Sequence, residues 1–222
     1  MTMAGAQKSA GVMHEAGGMT PPLATRVRRA FALAAMVLVL LYVTIDVVLQ
    51  VLPPHYSLLS DAESDLAVGP FGWAMNLNFL ARAVMSGCLV MAVSVTAPAS
   101  RVRRAGSALL AVAGLCSAAL VFFPTDVNRP GEFGMTPRTS IGFVHVLFAT
   151  SGFLAVLAAM ALLTWWIGRP RAVRLFFGVA LVGLVLLGMS LVVLPHVVGL
   201  TERICLLGIL GWAFVFSVRL IR

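Results

Sequence analysis

The chain has 222 residues, 60% of them hydrophobic and 11% charged, with a formal charge of +8 and a mean hydropathy of +1.01. A soluble domain carries about 25% charged residues to wet its outside, so these numbers exclude a soluble fold, and they exclude disorder for most of the chain; the bilayer is the solvent that fits. The positive charge comes from 15 Arg and one Lys against eight acids, and it sits between apolar runs, which points to membrane orientation and to no nucleic-acid partner.

Residues 1–25 are small, polar and Gly-rich, include His14 and Glu15, and lack the apolar core of a secretory signal. They read as a disordered cytoplasmic tail. Six apolar runs follow, expected to span at 30–52, 71–97, 105–123, 141–167, 172–194 and 204–221. A span needs about 20 residues at about 1.5 Å each. The fourth run is long and implies tilt or projection; the last is short and can begin near Gly199. The first ends in Leu52-Pro53-Pro54 without a small-x-small cleavage pattern, so it is expected to stay attached. Residues 26–222 thus read as an all-α membrane protein, a bundle of six transmembrane helices.

Connections alternate in sign. Arg26, Arg28 and Arg29, then Arg101, Arg103 and Arg104, then Arg169, Arg171 and Arg174, then Arg219 and Arg222 mark one side. Asp61, Glu63 and Asp65, then Asp126 and Glu132, then Glu202 mark the other. Arginine excess marks the cytoplasmic side, which places both termini in the cytoplasm and the acidic loops outside. In the first outer loop, Ser60 followed by Glu63 is a capping box, so a short interfacial helix with solvated acids is expected there. Phe123-Pro124-Thr125-Asp126 closes the third span and Ser140 can cap the fourth.

Charge within a span is costly and usually has a reason. Asp46 lies on a stripe with Tyr42 and Gln50, and Arg82 on a stripe with Asn78 and Ser86. Residues four apart share a helix face, so adjacent antiparallel helices can pair Asp46 with Arg82. The alternative is that Arg82 holds a lipid phosphate or another anion. Cys88, Cys116 and Cys205 lie within spans with no metal or redox spacing and read as packing residues. No nucleotide fingerprint, nucleophile elbow or His-Glu-x-x-His run is present.

His55, Asp61, Asp65, Asp126, His145, His196 and Glu202 are all expected at one depth, the outer face. Depletion of Arg leaves outer loops acidic but does not place three of four histidines there. His145 and Asp126, at facing ends of consecutive helices, are expected within hydrogen-bond reach of each other.

At these residues the chain resembles a family of bacterial membrane proteins known as domain of unknown function 998. The resemblance rests on Ser64-Asp65-Leu66-Ala67, Pro70 with an Asn early in the second span, Phe123-Pro124-Thr125-Asp126, Gly142 with His145, and Gly199-Leu200-Thr201-Glu202-Arg203-Ile204. It covers roughly residues 30–221. Ala67 stands where Gly is expected, and Arg82 has no counterpart in the family pattern. The resemblance implies fold and membrane location, not activity, and it singles out Asp65, Asp126, His145, Glu202 and Arg203.

Three functions are weighed. The leading one is binding or sensing of a lipid or small ligand in a polar outer-face pocket of Asp65, Asn78, Arg82, Asp126, His145, His196, Glu202 and Arg203. A second is an intramembrane hydrolase with zinc held by His55, His145, His196 and Asp126. A third is a proton-coupled carrier relaying through Asp46 and His145. No cofactor is expected, zinc being the possible one, and the expected partners are the lipid bilayer and a lipid or small-molecule ligand. Whether a reaction is catalysed, and the oligomeric state, stay open. The resemblance and an Arg-over-Lys bias point to a bacterial inner membrane.

Overall fold

Among the described residues of the computed structural model (21–52, 56–96, 99–129 and 131–222), six helices are long and apolar enough to cross a membrane, and there are no strands. They are α1 (Pro21–Leu49), α2 (Gly72–Ser94), α3 (Arg101–Ala119), α4 (Ser140–Trp166), α5 (Arg171–Val193) and α6 (Val198–Ile221). Short 3-10 turns at Glu63–Ala67 and Pro195–Val197 lead into α2 and α6. His14, Glu15 and His55 lie outside the described residues, as does the tail through residue 20.

Boundaries follow local chemistry. α1 already runs from Pro21, so residues 21–25, expected in the tail, are helical. α3 starts earlier than expected because Ser100 caps it, its hydroxyl accepting from the Arg103 amide at 3.1 Å. Thr139, not Ser140, caps α4, accepting from the Gly142 amide at 2.9 Å. α4 ends where Gly168 and Arg169 turn left-handed (φ 87° and 56°) and Pro170 forbids continuation.

The helices form a ring in the order α4–α3–α2–α1–α6–α5. The closing contact, α5 against α4, is the sparsest around the ring and leaves a seam. α5 and α6 approach closest, through glycine. A Cβ at Gly208 would collide with the backbone of Ala180, and one at Gly183 with the backbone of Cys205. Without a hydrophobic drive between helices in lipid, such close backbone packing is a main source of association. Deeper in, Trp212 stacks on Phe216 with centroids 4.5 Å apart, and its indole N–H donates to Thr164 at 2.8 Å.

The described residues of the connections, 50–52, 56–71, 120–129, 131–139 and 194–197, gather at one end of the bundle, which holds most of the described acids. At the other end, Arg29 donates to the Ile221 carbonyl (3.3 Å), joining the start of α1 to the end of α6.

Candidate functional site

The connection between α1 and α2 folds inward over the acidic end. Arg203, one turn into α6, donates to the carbonyls of Leu58 (3.2 Å), Asp61 (3.1 Å) and Gly199 (2.9 Å), and to the Tyr56 hydroxyl. Gly199 permits this approach, because a Cβ there would collide with the Asp61 carbonyl. The Asp61 carboxylate accepts from the Ser57 amide (2.8 Å) and the Ser60 hydroxyl (2.9 Å), which tightens the turn.

This clamp drives Glu63 into the bundle, where it is 3% exposed. Its amide donates to the Glu202 carboxylate at 2.7 Å, and its own carboxylate accepts from the Tyr42 hydroxyl at 2.8 Å. The expected capping box is therefore corrected. Ser60 caps nothing, the residue before the 3-10 turn is Ala62, and Glu63 is buried rather than solvated. A capping carboxylate folds back locally; here partners from α1 and α6 outcompete that geometry. Burial, with the charges of Asp46 and Glu202, pushes the Glu63 carboxyl well above the usual range.

Asp65 sits half-buried beside this pair. Burial first, then the charges of Glu202 and Asp61, push it up to about 7. A carboxyl whose folded pKa is raised gives stability that is complete below its ordinary pKa, 3.8, and is lost as pH rises toward 7. Asp65→Asn is expected to lose this dependence. Thermal unfolding of both proteins between about pH 4 and 7 should show wild type weakening relative to the variant as pH rises.

Asp126 and His145 do not bond. The carboxylate accepts from the amides of Arg138 (2.7 Å) and Thr139 (2.8 Å) and from the Thr139 hydroxyl (3.0 Å). Those bonds hold its pKa below the usual range. His145 Nδ1 instead donates to the Phe123 carbonyl at 2.6 Å. Both choices follow from helix ends: the segment entering α4 offers unpaired amides and positive potential to a carboxylate, and the frayed end of α3 offers a spare carbonyl to the ring. Gly142 leaves room for this carboxylate, since a Cβ there would collide with it.

The expected Asp46–Arg82 pair is likewise corrected. Asp46 accepts from the Gln50 side chain at 2.5 Å, along its own stripe. Arg82 Nε donates to Ser117 of α3 at 2.9 Å, and its guanidinium lies 5.5 Å from the Phe79 ring centroid and 5.9 Å from that of Tyr42. Among the described residues the side chains paired as ions are Arg138 and Glu132. Stacking and a hydroxyl on the neighbouring helix fix Arg82 without a carboxylate.

A cavity of about 150 Å³ opens beneath the folded connection, inside the ring. Its polar end is lined by Glu63, Arg82, Ser117, His145 and Glu202; its apolar end by Leu89, Leu110, Phe153, Ile209 and Trp212. His145 is 2% exposed and its Nε2 has no partner. Since Nδ1 donates to a carbonyl, Nε2 of the neutral ring is an acceptor. Of the eight ligand candidates, Arg82, His145 and Glu202 line this cavity. Asn78 donates to the Tyr42 carbonyl at 3.1 Å, Arg203 clamps the connection, Asp126 caps, Asp65 stands at the side, and His196 is exposed. Glu63, Tyr42 and Ser117 were not candidates. Tyr42 carried a signal in its stripe with Asp46; Ser117 carried none.

Among the described residues no group of three or more His, Cys, Asp or Glu is arranged so that it could hold a metal ion. His145, His196 and Asp126 are each placed elsewhere, and His55 lies outside those residues, so the zinc reading has no ligand set there.

The model of a family described as protein of unknown function (DUF998) matches residues 36–219. The chain belongs to the DUF998 family. No curated protein and no solved structure matches it. The DUF998 resemblance now divides physically. Asp126 with Gly142, and Gly199 with Arg203, hold connections in place, whereas His145 and Glu202 face the cavity.

Proposed function

We propose that this DUF998 protein binds a small amphiphile, a lipid or lipid-like molecule, in the cavity inside the ring. One observation carries the reading: a partly enclosed space lined by His145, whose Nε2 has no partner, and Arg82 at one end and by apolar side chains at the other. A buried polar atom without a partner costs about 1–3 kcal/mol, so a ligand that satisfies it is favoured. A cavity of about this volume in an engineered protein takes up benzene. The enclosed part therefore suits a head and a few carbons, and the α4–α5 seam lets a longer chain continue into lipid.

The protein sits in a bacterial inner membrane with both termini in the cytoplasm and the cavity near the outer leaflet. Arginine at every connection of one end and acids at the other support this orientation. A cysteine at Gly131 is expected to be labelled from outside intact cells and one at Arg101 is not; the reverse pattern would invert every outer-face assignment.

Binding is tested by calorimetric titration of hexanol and hexylammonium into the protein in phosphatidylcholine nanodiscs, with empty nanodiscs as reference. Wild type is expected to bind at least one. Ala149→Phe or Ala113→Leu, which fill the cavity from different helices, should abolish binding while thermal unfolding shows a folded protein. Binding unaffected by both variants would overturn the reading.

A further inference from the structure

Two carboxylates and one guanidinium face the polar end of the cavity, and their sum is negative. Glu63 and Glu202 are 3% and 6% exposed. One oxygen of Glu63 is taken by Tyr42 and one of Glu202 by the Glu63 amide. Among the described residues the second oxygen of each has no hydrogen-bond partner, and both residues line the cavity. Arg82 forms no ion pair with either, and its terminal nitrogens bond nothing within the described chain. Arg203 is hydrogen-bonded to the connection but keeps its charge beside Glu202. Glu63 and Glu202, with Asp46, Asp61 and Asp65 around them, outnumber Arg82 and Arg203, so the polar end carries more carboxyl groups than guanidiniums. A buried excess of carboxylates is costly unless it takes up a proton or a cation.

The hydrogen-bond inventory supplies acceptors for such a cation: the second oxygens of Glu63 and Glu202, without a hydrogen-bond partner among the described residues, and the buried, unpartnered His145 Nε2, with the open terminal N–H groups of Arg82 as the donors beside them. An ammonium group has three N–H donors and no acceptor. The apolar end, through Leu89, Leu110 and Trp212, suits the alkyl group behind it.

We propose that the polar end of this cavity binds a protonated primary amine, in exchange for a proton released from the Glu63–Glu202 pair. The inference rests on the cavity being a binding site and names what it selects. Other titratable and charged groups around the pair are Tyr42 and Asp46 of α1, Tyr56, Asp61 and Asp65 of the connection, Arg82 of α2, His145 of α4 and Arg203 of α6. Asp46 adds negative charge on the α1 side; Arg82 and Arg203 set how strongly the site attracts a cation. Raised pH frees the carboxylates, while an alkylammonium keeps its proton as a lysine does, to about pH 10.4. Affinity therefore rises with pH, at most tenfold per unit for one proton exchanged.

The test uses the full chain in phosphatidylcholine nanodiscs and three calorimetric probes: hexylammonium, hexyltrimethylammonium, which has no N–H, and hexanol, which has no charge. At pH 8 hexylammonium is expected to bind about tenfold or more tighter than either of the others, the worth of a charge-assisted hydrogen bond. Its affinity should fall toward pH 5.5, and the heat should vary with buffer ionisation as one proton leaves. Glu202→Gln keeps an acceptor for the Glu63 amide; it should weaken the amine about tenfold more than it weakens hexanol and flatten the pH profile. Replacing part of the phosphatidylcholine with phosphatidylethanolamine identifies the source. Competition makes the amine a lipid head group, and its absence a diffusible amine. Equal binding of hexanol and hexylammonium, both lost in Ala149→Phe, would overturn the amine while leaving the binding site intact. If no probe binds, both readings fall.

Discussion

Gly208→Leu is expected to be among the most damaging single changes in this protein, costing at least the upper end of the overpacking range, about 3 kcal/mol. Its Cβ would meet the nitrogen, Cα and Cβ of Ala180, so backbone would have to move. The reciprocal contact, Gly183 on the backbone of Cys205, binds the same pair of helices, so one cannot slide without breaking the other. Gly188 lies on α5 with nothing within 4 Å of where its Cβ would be. Gly188→Leu is the matched control and should unfold near the wild-type midpoint. Thermal or denaturant unfolding in detergent of the three proteins checks this; equal midpoints for the two variants would mean that close α5–α6 packing contributes little.

The second large effect is expected at Arg203. Its guanidinium satisfies the carbonyls of Leu58, Asp61 and Gly199 and reaches the Tyr56 hydroxyl. Hydrogen bonds to charged groups contribute about 1.5–3 kcal/mol each, and buried carbonyls left behind add their own cost. Arg203→Ala is expected to cost roughly 3 kcal/mol and to free the connection that carries Glu63. Limited proteolysis between Tyr56 and Asp65 should then become fast. Lysine presents a single point of charge where arginine presents a fork, so Arg203→Lys should restore only part of the protection. Slow cleavage in the alanine variant would show that the connection is held by other contacts.

These two sites illustrate what is readable from the residues. The six apolar runs announce six membrane-crossing helices, because hydropathy and length are properties of each segment alone. The apolar run of α6 reads as 204–221 with an earlier start near Gly199 open to it, and α6 does begin at Val198, so Glu202 and Arg203 lie inside the helix. They are tolerated inside the helix because a connection more than 130 residues away in sequence supplies their partners. Glu63 is misread for the same reason. Its spacing from Ser60 is locally a cap, and only the fold brings Tyr42 and Glu202 to it. The polar stripes on α1 and α2 correctly mark faces, but not partners. Asp46 finds Gln50 one turn away, and Arg82 finds a serine on α3 that no charge pattern reveals. His145 and Asp126 lie near one end of the bundle, but helix-end chemistry, weak as a sequence signal, sends each to backbone atoms.

The central claim is that a ligand occupies the cavity against His145. The most direct measurement is the ¹⁵N resonance of the two ring nitrogens of His145, compared with and without hexylammonium, in protein held in nanodiscs. Nδ1, bonded to the Phe123 carbonyl, is expected to stay in place, while Nε2, without a partner in the chain, shifts as an acceptor gaining a hydrogen bond. The shift should vanish in Ala149→Phe. An Nε2 resonance that is unmoved at saturating hexylammonium, or that moves equally in Ala149→Phe, would contradict the account.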